Sequence, residues 1–173
     1  MSMLVSDYDK TFDGITNDGR ILNLKLNCEK VQEFIRQGNI FVLASSVDYE
    51  TLTQFANENE IPYSYLMGRD GICDHNQNLL LSCNSYDSIS REIGIMSIKN
   101  MVEIDDNDIF TIGDDEKDLS MIATWNGFQI GDNEKLSNFS LGTYNDVYEL
   151  VDDIIKKKVK KREYCDPFAY HGV

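Results

Sequence analysis

The chain carries MLVSDYDKTF at residues 3–12, and this stretch defines the expected fold and site. Its apolar start predicts a buried β-strand, which is followed by Asp7, Asp9 and Thr11 in a D-x-D-x-T pattern. Ligands bind at the carboxyl ends of strands in open α/β sheets. Two carboxylates this close raise each other's pKa unless a cation or a donor lies between them. The stretch therefore predicts a site for a divalent metal and a phosphate; the alternative is a polar turn after an edge strand.

Two further apolar segments, at residues 39–46 and 109–118, end in polar side chains. These side chains are the hydroxyls of Ser45 and Ser46 and the carboxylates of Asp114, Asp115 and Asp118. Hydroxyl groups can hold phosphate oxygens without adding positive charge, and carboxylates are ligands of hard divalent cations. One apolar segment that ends in polar side chains can be a surface turn. Three such segments, at 3–12, 39–46 and 109–118, are harder to explain in this way and favour the metal and phosphate site.

Alternating strand and helix signals run through the whole chain. Asp-Gly at residues 18–19 lies between extended runs and predicts a hairpin over 12–26. Asn27 is expected to cap a helix that stops at Gly38. The other predicted elements are helices at 49–59, at 88–103, from Glu116 and from Asn145, strands at 61–67 and 127–131, and a hairpin at 71–82. This alternation predicts a three-layer, Rossmann-like α/β fold, in which helices cover both faces of a mostly parallel sheet.

Composition indicates a globular protein. With 173 residues, 42% of them hydrophobic, the chain is expected to form one domain over 1–163, followed by a C-terminal tail at 164–173. A net charge of −14 opposes general nucleic-acid binding, because phosphate backbones require basic surfaces. We expect no membrane span, no signal peptide and a cytoplasmic location. The four cysteines lack the spacing of a zinc site and are expected to be reduced thiols.

These motifs resemble those of the haloacid dehalogenase-like (HAD) hydrolase superfamily, and within it the Cof-type phosphatases. The resemblance covers nearly the whole chain: residues 7–11 are similar to the first motif, Ser45 to the second and residues 113–118 to the fourth. It implies the HAD-like form of the Rossmann-like fold. It also implies that Asp7 is a nucleophile that forms an aspartyl-phosphate, and that Asp9 is the general acid and base.

The same resemblance implies a bound Mg²⁺ ion and a set of phosphate contacts. The metal ligands would be the Asp7 carboxylate, the Asp9 backbone carbonyl and Asp114, while Asp118 would support the metal directly or through water. The expected phosphate-binding hydroxyls are those of Thr11, Ser45 and Ser46.

The third motif requires a cation at the start of the helix before the second acidic strand. Helix spacing places Arg91 there, whereas Lys99 lies about two turns later, so Arg91 is favoured and Lys99 is the alternative. The chain departs from the Cof-type pattern at two points: Ser46-Val47 stands where Gly-Arg is usual, and Lys117 stands where Asn is usual. Lys117 either supplies the missing positive charge to the phosphate or is a solvated helix residue.

Cof-type relatives carry a large cap domain, for which this chain leaves no room between the hairpin end near Ser82 and the helix start near Ser88. We therefore expect an open active-site mouth, covered by a large substrate or by a second copy of the chain. The tail, which includes His171, is either a lid or oligomer arm or a frayed terminus. The basic run at 156–162 is expected to be the solvated end of the last helix; the alternative is docking onto an acidic neighbour or a polyanion.

The sequence as a whole predicts a Mg²⁺-dependent phosphatase that hydrolyses a phosphate monoester of unidentified structure. One alternative is a phosphotransferase or mutase that uses the same aspartyl-phosphate. Another is a phosphate-binding or regulatory module that keeps the fold without turnover, which Val47 and Lys117 would explain. The presence of Asp7, Asp9 and Asp114 opposes that last alternative, because three repelling carboxylates serve no purpose in a protein without catalysis.

Overall fold

The computed structural model describes residues 1–84, 88–165 and 167, which form eight strands and six α-helices. The strands are β1 (Met3–Asp7), β2 (Ile40–Ala44), β3 (Tyr65–Met67), β4 (Gly71–Asp74), β5 (Leu79–Ser82), β6 (Ile109–Gly113), β7 (Asn126–Ile130) and β8 (Thr143–Tyr144). The helices are α1 (Leu24–Arg36), α2 (Tyr49–Glu58), α3 (Arg91–Val102), α4 (Leu119–Thr124), α5 (Glu134–Ser137) and α6 (Val147–Ile155). Single 3₁₀ turns cover Asp106–Asp108 and Glu116–Asp118.

The strands form one sheet in the order β5-β4-β3-β2-β1-β6-β7-β8. The six neighbouring strands β3-β2-β1-β6-β7-β8 pair in parallel. At the edge beside β3, the strands β4 and β5 are added in antiparallel orientation. This arrangement confirms the predicted α/β fold with a mostly parallel sheet. The chain builds one half of the sheet outward from β1 through β2 and β3, and the other half through β6, β7 and β8. The order reverses beside β1, which is the position where open α/β sheets bind ligands.

Side chains of β1 contribute alternately to two cores, one on each face of the sheet. Leu4 belongs to a core that also contains residues of α1, α2 and α6. Met3 and Val5 belong to a second core, which contains residues of α3, α4 and α5. Because helices cover both faces, the central strands are buried on both sides and have continuous apolar sequences. The predicted three-layer arrangement is thereby confirmed.

The segment after β1 differs from its prediction. The hairpin expected over 12–26 is reduced to one antiparallel bridge between Ile15 and Ile21. The cap of α1 is Asn23, so the prediction that Asn27 caps this helix is wrong. The alternating leucines of this region fit the first turn of a helix as well as they fit a strand, and the cap decides between the two.

Two asparagines explain why α1 begins early and where it is fixed. The Asn23 side chain accepts a hydrogen bond from the Leu26 N–H at 3.1 Å, which satisfies one of the free donors of the first turn. Asn27 lies inside the helix and is buried. Its amide donates to the Phe12 carbonyl at 2.9 Å, and its oxygen accepts from the Tyr148 N–H at 2.9 Å. Asn27 therefore joins the loop after β1 to the start of α6.

Several other predicted elements need adjustment. The strand expected at 61–67 begins only at Tyr65, whereas the hairpin expected at 71–82 is confirmed as β4 and β5. The short elements α5 and β8 were not predicted, because four and two residues carry too little periodicity to be recognised. The connection from β5 to α3 spans residues 83–90, and the absence of a cap domain stays a prediction.

The basic run at 156–162 follows a helix that has already ended at Ile155, so the prediction that the run forms the solvated end of that helix is wrong. The guanidinium of Arg162 instead donates to the Ile122 carbonyl at 2.8 Å and to the Trp125 carbonyl at 2.6 Å. The last carbonyls of a helix lack partners within it. Arg162 satisfies such carbonyls at the end of α4, which explains why it turns back onto the protein.

Much of the predicted tail, at 166 and 168–173, lies outside the described residues, and so does His171. The lid or oligomer arm expected there, and the domain boundary at residue 163, therefore stay predictions. Within the part of the chain that the structure describes, we find no helix with the length and apolar character needed to cross a membrane.

Close packing of α4 on β7 depends on Gly127. A Cβ atom at this position would lie 2.0 Å from the Ile122 carbonyl oxygen, which is backbone and cannot move aside. We expect Gly127→Ala to lower the free energy of unfolding by about 2 kcal/mol or more, measured by urea denaturation. Gly142→Ala is the matched control, since its Cβ would meet nothing closer than 3.8 Å. Equal stability of the two variants would contradict the predicted close packing.

Candidate functional site

Parallel pairing brings the three polar strand endings to one edge of the sheet. Asp7 lies opposite Ala44 in the register of β1 and β2, so Ser45 follows next to it. On the other side of β1, the parallel strand β6 ends at Gly113 and is followed by Asp114. Segments that are far apart in sequence are thus neighbours around the Asp7 carboxylate.

Asp7, Asp114 and Asp118 form a compact acidic cluster. Each contributes one carboxylate oxygen to a group whose members all lie within 4.8 Å of one another. The three side chains are buried, with Asp7 and Asp118 fully removed from solvent. Asp115, the other acidic candidate of this motif, is exposed, and so is the Asp9 side chain. The cluster therefore contains three of the four predicted metal-binding residues through their side chains.

Hydrogen bonds fix two of these carboxylates. The Thr11 hydroxyl donates to Asp114 Oδ1 at 2.9 Å. Asp118 Oδ2 accepts from the backbone N–H of Asp114 at 3.1 Å and from that of Asp115 at 3.4 Å. Thr11, predicted to contact phosphate, thus positions a carboxylate of the cluster in this structure.

Two backbone features allow this close arrangement. A Cβ on Gly113 would lie 2.3 Å from Asp118 Oδ2, so only glycine lets this carboxylate approach the strand end. Lys10 has φ 61°, a left-handed conformation that costs an L-residue roughly 1 kcal/mol. In the tight turn around Lys10, the Tyr8 carbonyl accepts the Phe12 N–H at 2.9 Å. This turn directs Thr11 toward the acidic cluster.

Arg91 is the cation that α3 brings to the cluster. Its Nη2 donates to Asp7 Oδ1 at 3.0 Å, and its Nε lies 3.7 Å from Asp118 Oδ1. The side chain is 8% exposed, so this is a buried ion pair. Lys99 is placed elsewhere, where its Nζ donates to Asp106 Oδ2 at 2.9 Å. Of the two cations considered from the sequence, the structure brings Arg91 to Asp7 and leaves Lys99 away from it.

Lys117 also faces the cluster. Its Nζ lies 3.7 Å from Asp7 Oδ2, and 38% of its side chain remains exposed. Although the side chain is exposed, its ammonium group lies at the entrance of the site and faces Asp7. Lys117 is therefore near enough to act on a group bound to Asp7.

Unpaired buried atoms are concentrated in this site. Four buried side-chain polar atoms of the described residues lack a hydrogen-bond partner, and they are Asp7 Oδ2, Asp118 Oδ1, Arg91 Nε and Thr124 Oγ1. Three of the four belong to the cluster or to its arginine. Leaving such atoms unsatisfied costs free energy. A hard divalent cation with oxygen preference, such as Mg²⁺, fits the two free carboxylate oxygens and the neighbouring Asp114.

Burial perturbs the acids of the site. Burial raises the pKa of Asp7 well above its usual value, and the nearby Asp118 carboxylate raises it further against the opposing charges of Arg91 and Lys117. Burial also raises the pKa of Asp118 to about 6, again opposed by Arg91 and Lys117. Perturbation of this size is typical of functional sites. A bound cation would favour the ionised carboxylates and reverse the effect.

A cleft of about 240 Å³ opens beside Asp7 and contains most of the predicted phosphate contacts. We call it the serine cleft, and it is lined by Ser45, Ser46, Arg69, Ser88, Ile89, Ser90, Arg91, Lys117 and Ser120. Ser45 is buried and its hydroxyl accepts the Val47 N–H at 3.3 Å, whereas Ser46 is exposed. Arg69 was missed in the sequence, although it lies two residues after the end of β3 at the same sheet edge, and a polar residue after a strand end is the signal that identified the other residues.

Two other cavities help to delimit the site. A cleft of about 260 Å³ lies on the Asp114 side and is lined by Lys10, Thr16, Asn17, Asp18, Asp114, Ile130, Gly131, Asp132 and Asn133. A larger groove of about 540 Å³ between α1 and α6 has none of the clustered carboxylates in its lining. The serine cleft and the Asp114-side cleft therefore flank the acidic cluster, while the groove between α1 and α6 belongs to another part of the surface.

Solved structures share this fold at low sequence identity. A 3-deoxy-D-manno-octulosonate 8-phosphate phosphatase from Moraxella catarrhalis, in complex with magnesium, phosphate and KDO, is 14% identical with a TM-score of 0.65, over 90% of this chain and 86% of that one. A HAD-superfamily phosphatase from Bacteroides thetaiotaomicron is 8% identical with a TM-score of 0.72, over 89% of this chain and 95% of that one. A cobalt-bound phosphatase for a similar octulosonate 8-phosphate, from Haemophilus influenzae, is 12% identical with a TM-score of 0.65, over 91% and 89% of the two chains.

These similarities concern structure rather than sequence. No protein-family model matches the chain, and no match was found among the curated proteins. At the identities above, the comparison establishes that the chain has the fold of HAD-superfamily phosphatases. The predicted HAD-like fold is thereby confirmed.

The buried, ionised Asp7 is expected to destabilise the metal-free protein. Because its folded-state pKa is raised, stability falls as pH increases from the unfolded-state value of about 3.9 through the folded-state value, and stays low above it. Asp7→Asn removes this charge and keeps an oxygen for Arg91. We expect the variant in EDTA to melt a few degrees above wild type at pH 8, with a smaller difference at pH 5.

Thermal unfolding at the two pH values measures this effect, with Asp105→Asn as a control that changes the same charge at an exposed position. A lower melting temperature for Asp7→Asn at pH 8 would show that the ion pair with Arg91 outweighs the burial of Asp7.

Proposed function

We propose that this protein is a Mg²⁺-dependent phosphatase that hydrolyses a phosphate monoester through an aspartyl-phosphate on Asp7. The observation that carries the proposal is the Asp7 carboxylate, which is buried, has one oxygen without a hydrogen-bond partner, and lies between an acidic cluster and the cation Arg91. A nucleophilic carboxylate needs a free oxygen and a nearby positive charge to receive a phosphoryl group. Asp7 has both.

Asp7 attacks phosphorus with its free oxygen, and the bond to the ester oxygen breaks. The exposed Asp9, two residues later, gives its proton to that leaving oxygen. The deprotonated Asp9 then takes a proton from a water molecule, which attacks phosphorus and releases Asp7 and inorganic phosphate. Exposure suits this role, since Asp9 must exchange protons with a leaving group and with water that come from solvent.

The remaining residues bind charge that develops on the phosphoryl oxygens. Arg91 is fixed by its contacts with Asp7 and Asp118, and a fixed donor loses little freedom when it binds an oxyanion. Lys117 adds a second positive charge at the entrance, which supports its assignment as a phosphate contact over that of a solvated residue. The hydroxyls of the serine cleft supply donors without further charge.

Asp7, Asp114 and Asp118 would hold the metal, together with the predicted backbone carbonyl of Asp9. When bound, Mg²⁺ supplies charge neutralisation for the phosphoryl oxygens and for the acidic cluster. Magnesium and phosphate in the Moraxella catarrhalis structure support this metal, and the cobalt in the Haemophilus influenzae structure shows that the fold also accepts another divalent ion. The Cof-type subclass stays a prediction, because neither structure is named as such.

Activity tests the nucleophile. We expect the purified protein to hydrolyse para-nitrophenyl phosphate with Mg²⁺, and Asp7→Asn to lower kcat by at least about 1,000-fold because the attacking oxygen is lost. Circular dichroism should show the same fold in both proteins. Asp105→Asn serves as the control and should retain wild-type activity. Equal rates for wild type and Asp7→Asn across a broad phosphate-ester panel would reject the enzyme in favour of a non-catalytic module.

Inhibition by vanadate tests the phosphate clamp. We expect Arg91→Ala to weaken vanadate inhibition by at least about tenfold, because a buried charge-assisted contact to the anion is lost. Lys99→Ala, which removes a cation paired with Asp106, should change inhibition by less than about twofold. The opposite order of effects would identify Lys99 as the clamp.

A further inference from the structure

The serine cleft contains a third cation, Arg69, in addition to Arg91 and Lys117. Arg91 and Lys117 face Asp7 from within this cleft. Arg69 lines the same cleft but is exposed at its rim. Its side chain forms no ion pair with any residue that the structure describes. In a chain with net charge −14, Arg69 thus adds positive charge to a cleft in which none of the described lining residues is acidic, although its charge also acts on the Asp48 carboxylate.

Backbone hydrogen bonds fix Arg69 in this position. Its N–H donates to the Val47 carbonyl at 2.9 Å, and its carbonyl accepts the Ile89 N–H at 2.7 Å. Val47 follows the hydroxyls at the end of β2, and Ile89 lies two residues before α3, next to its N-cap Ser90. The main chain of Arg69 is therefore held between the two segments that carry the predicted phosphate contacts, so its side chain starts from a defined point beside them.

Contact with Asp7 distinguishes the other two cations from Arg69. Arg91 is buried against Asp7, and the Nζ of the exposed Lys117 lies 3.7 Å from the same carboxylate. A phosphoryl group transferred to Asp7 lies at this inner end. Arg69 lies at the exposed end, together with the exposed Ser46 and Ser88. A group bound there would belong to the part of the substrate that leaves.

We propose that Arg69, with the hydroxyls of Ser46 and Ser88, binds a second anionic group on the leaving part of the substrate, either a carboxylate or another phosphate. The proposal rests on the function proposed above, in which the phosphoryl group is transferred to Asp7. The planar guanidinium offers paired donors for either kind of anion, and the two hydroxyls complete the contact. The preferred substrates are thus phosphate esters with an additional acid group.

Matched ligands test this second subsite by binding rather than turnover. Isothermal titration calorimetry on the Asp7→Asn variant with Mg²⁺ would compare 3-phosphoglycerate with glycerol 3-phosphate, and fructose 1,6-bisphosphate with fructose 6-phosphate. We expect the member with the extra acid group to bind about tenfold more tightly in at least one pair. Adding Arg69→Gln should abolish this preference and leave the affinity of the other member within about twofold.

Arg36→Gln in the same background is the charge-matched control and should keep the preference. Arg36 is an exposed residue of the last turn of α1, which leads into the start of β2 and hence lies at the opposite edge of the sheet. The pair that shows the preference identifies the second group as a carboxylate or a phosphate.

Three outcomes would overturn the proposal: equal affinities within both pairs, a preference that survives Arg69→Gln, or an equal loss of affinity for both members of a pair. The last outcome would show that Arg69 contacts the transferred phosphoryl group itself. Failure of the proposed function appears separately, as absence of hydrolysis by wild type, and does not alter a binding preference measured in a variant without turnover.

Discussion

The buried ion pair between Arg91 and Asp7 joins the parts of the chain on which the site depends. Asp7 ends the central strand, Asp118 lies in the turn after β6, and Arg91 opens α3. Carboxylates buried this close repel one another strongly in a medium of low polarity. Arg91 contacts two of the three and reduces that repulsion. Within the described residues it is the one cationic side chain among the buried set, so the positions of β1, β6 and α3 are electrostatically linked through it.

The site stores unfavourable interactions that the rest of the domain offsets. Carboxylate oxygens without a hydrogen bond on Asp7 and Asp118, and the left-handed backbone of Lys10, each cost free energy in the metal-free protein. Apolar cores on both faces of the sheet compensate, since β1 is buried along its whole length. A central strand with neighbours on both sides has little freedom to relieve the repulsion by moving. The fold therefore keeps carboxylates in positions that only a cation makes favourable.

Local signals in the sequence indicated most residues of the candidate site, because parallel strands end at the same edge and Asp7, Ser45 and Asp114 each lie at or directly after such an end. The fold class followed from the alternation of strand and helix signals along the chain. Features that depend on contacts between distant residues could not be predicted from the sequence pattern. Leu24 fits a strand or a helix until the Asn23 cap is considered, and the contact of Thr11 with Asp114 joins residues 103 positions apart. Such pairings are decided by tertiary packing, which a pattern of residues along the chain does not contain.

Charge distribution determines what can approach this site. A net charge of −14 disfavours anions at long range, yet salt confines that effect to about 8 Å at physiological ionic strength. At shorter range, the serine cleft presents Arg69, Arg91 and Lys117, and none of its lining residues that the structure describes is acidic. The cleft on the Asp114 side has the opposite character, with three carboxylates in its lining and Lys10 as its single cation. The two clefts beside the acidic cluster therefore differ in the sign of their charge, and an anion is favoured on the side of Arg69.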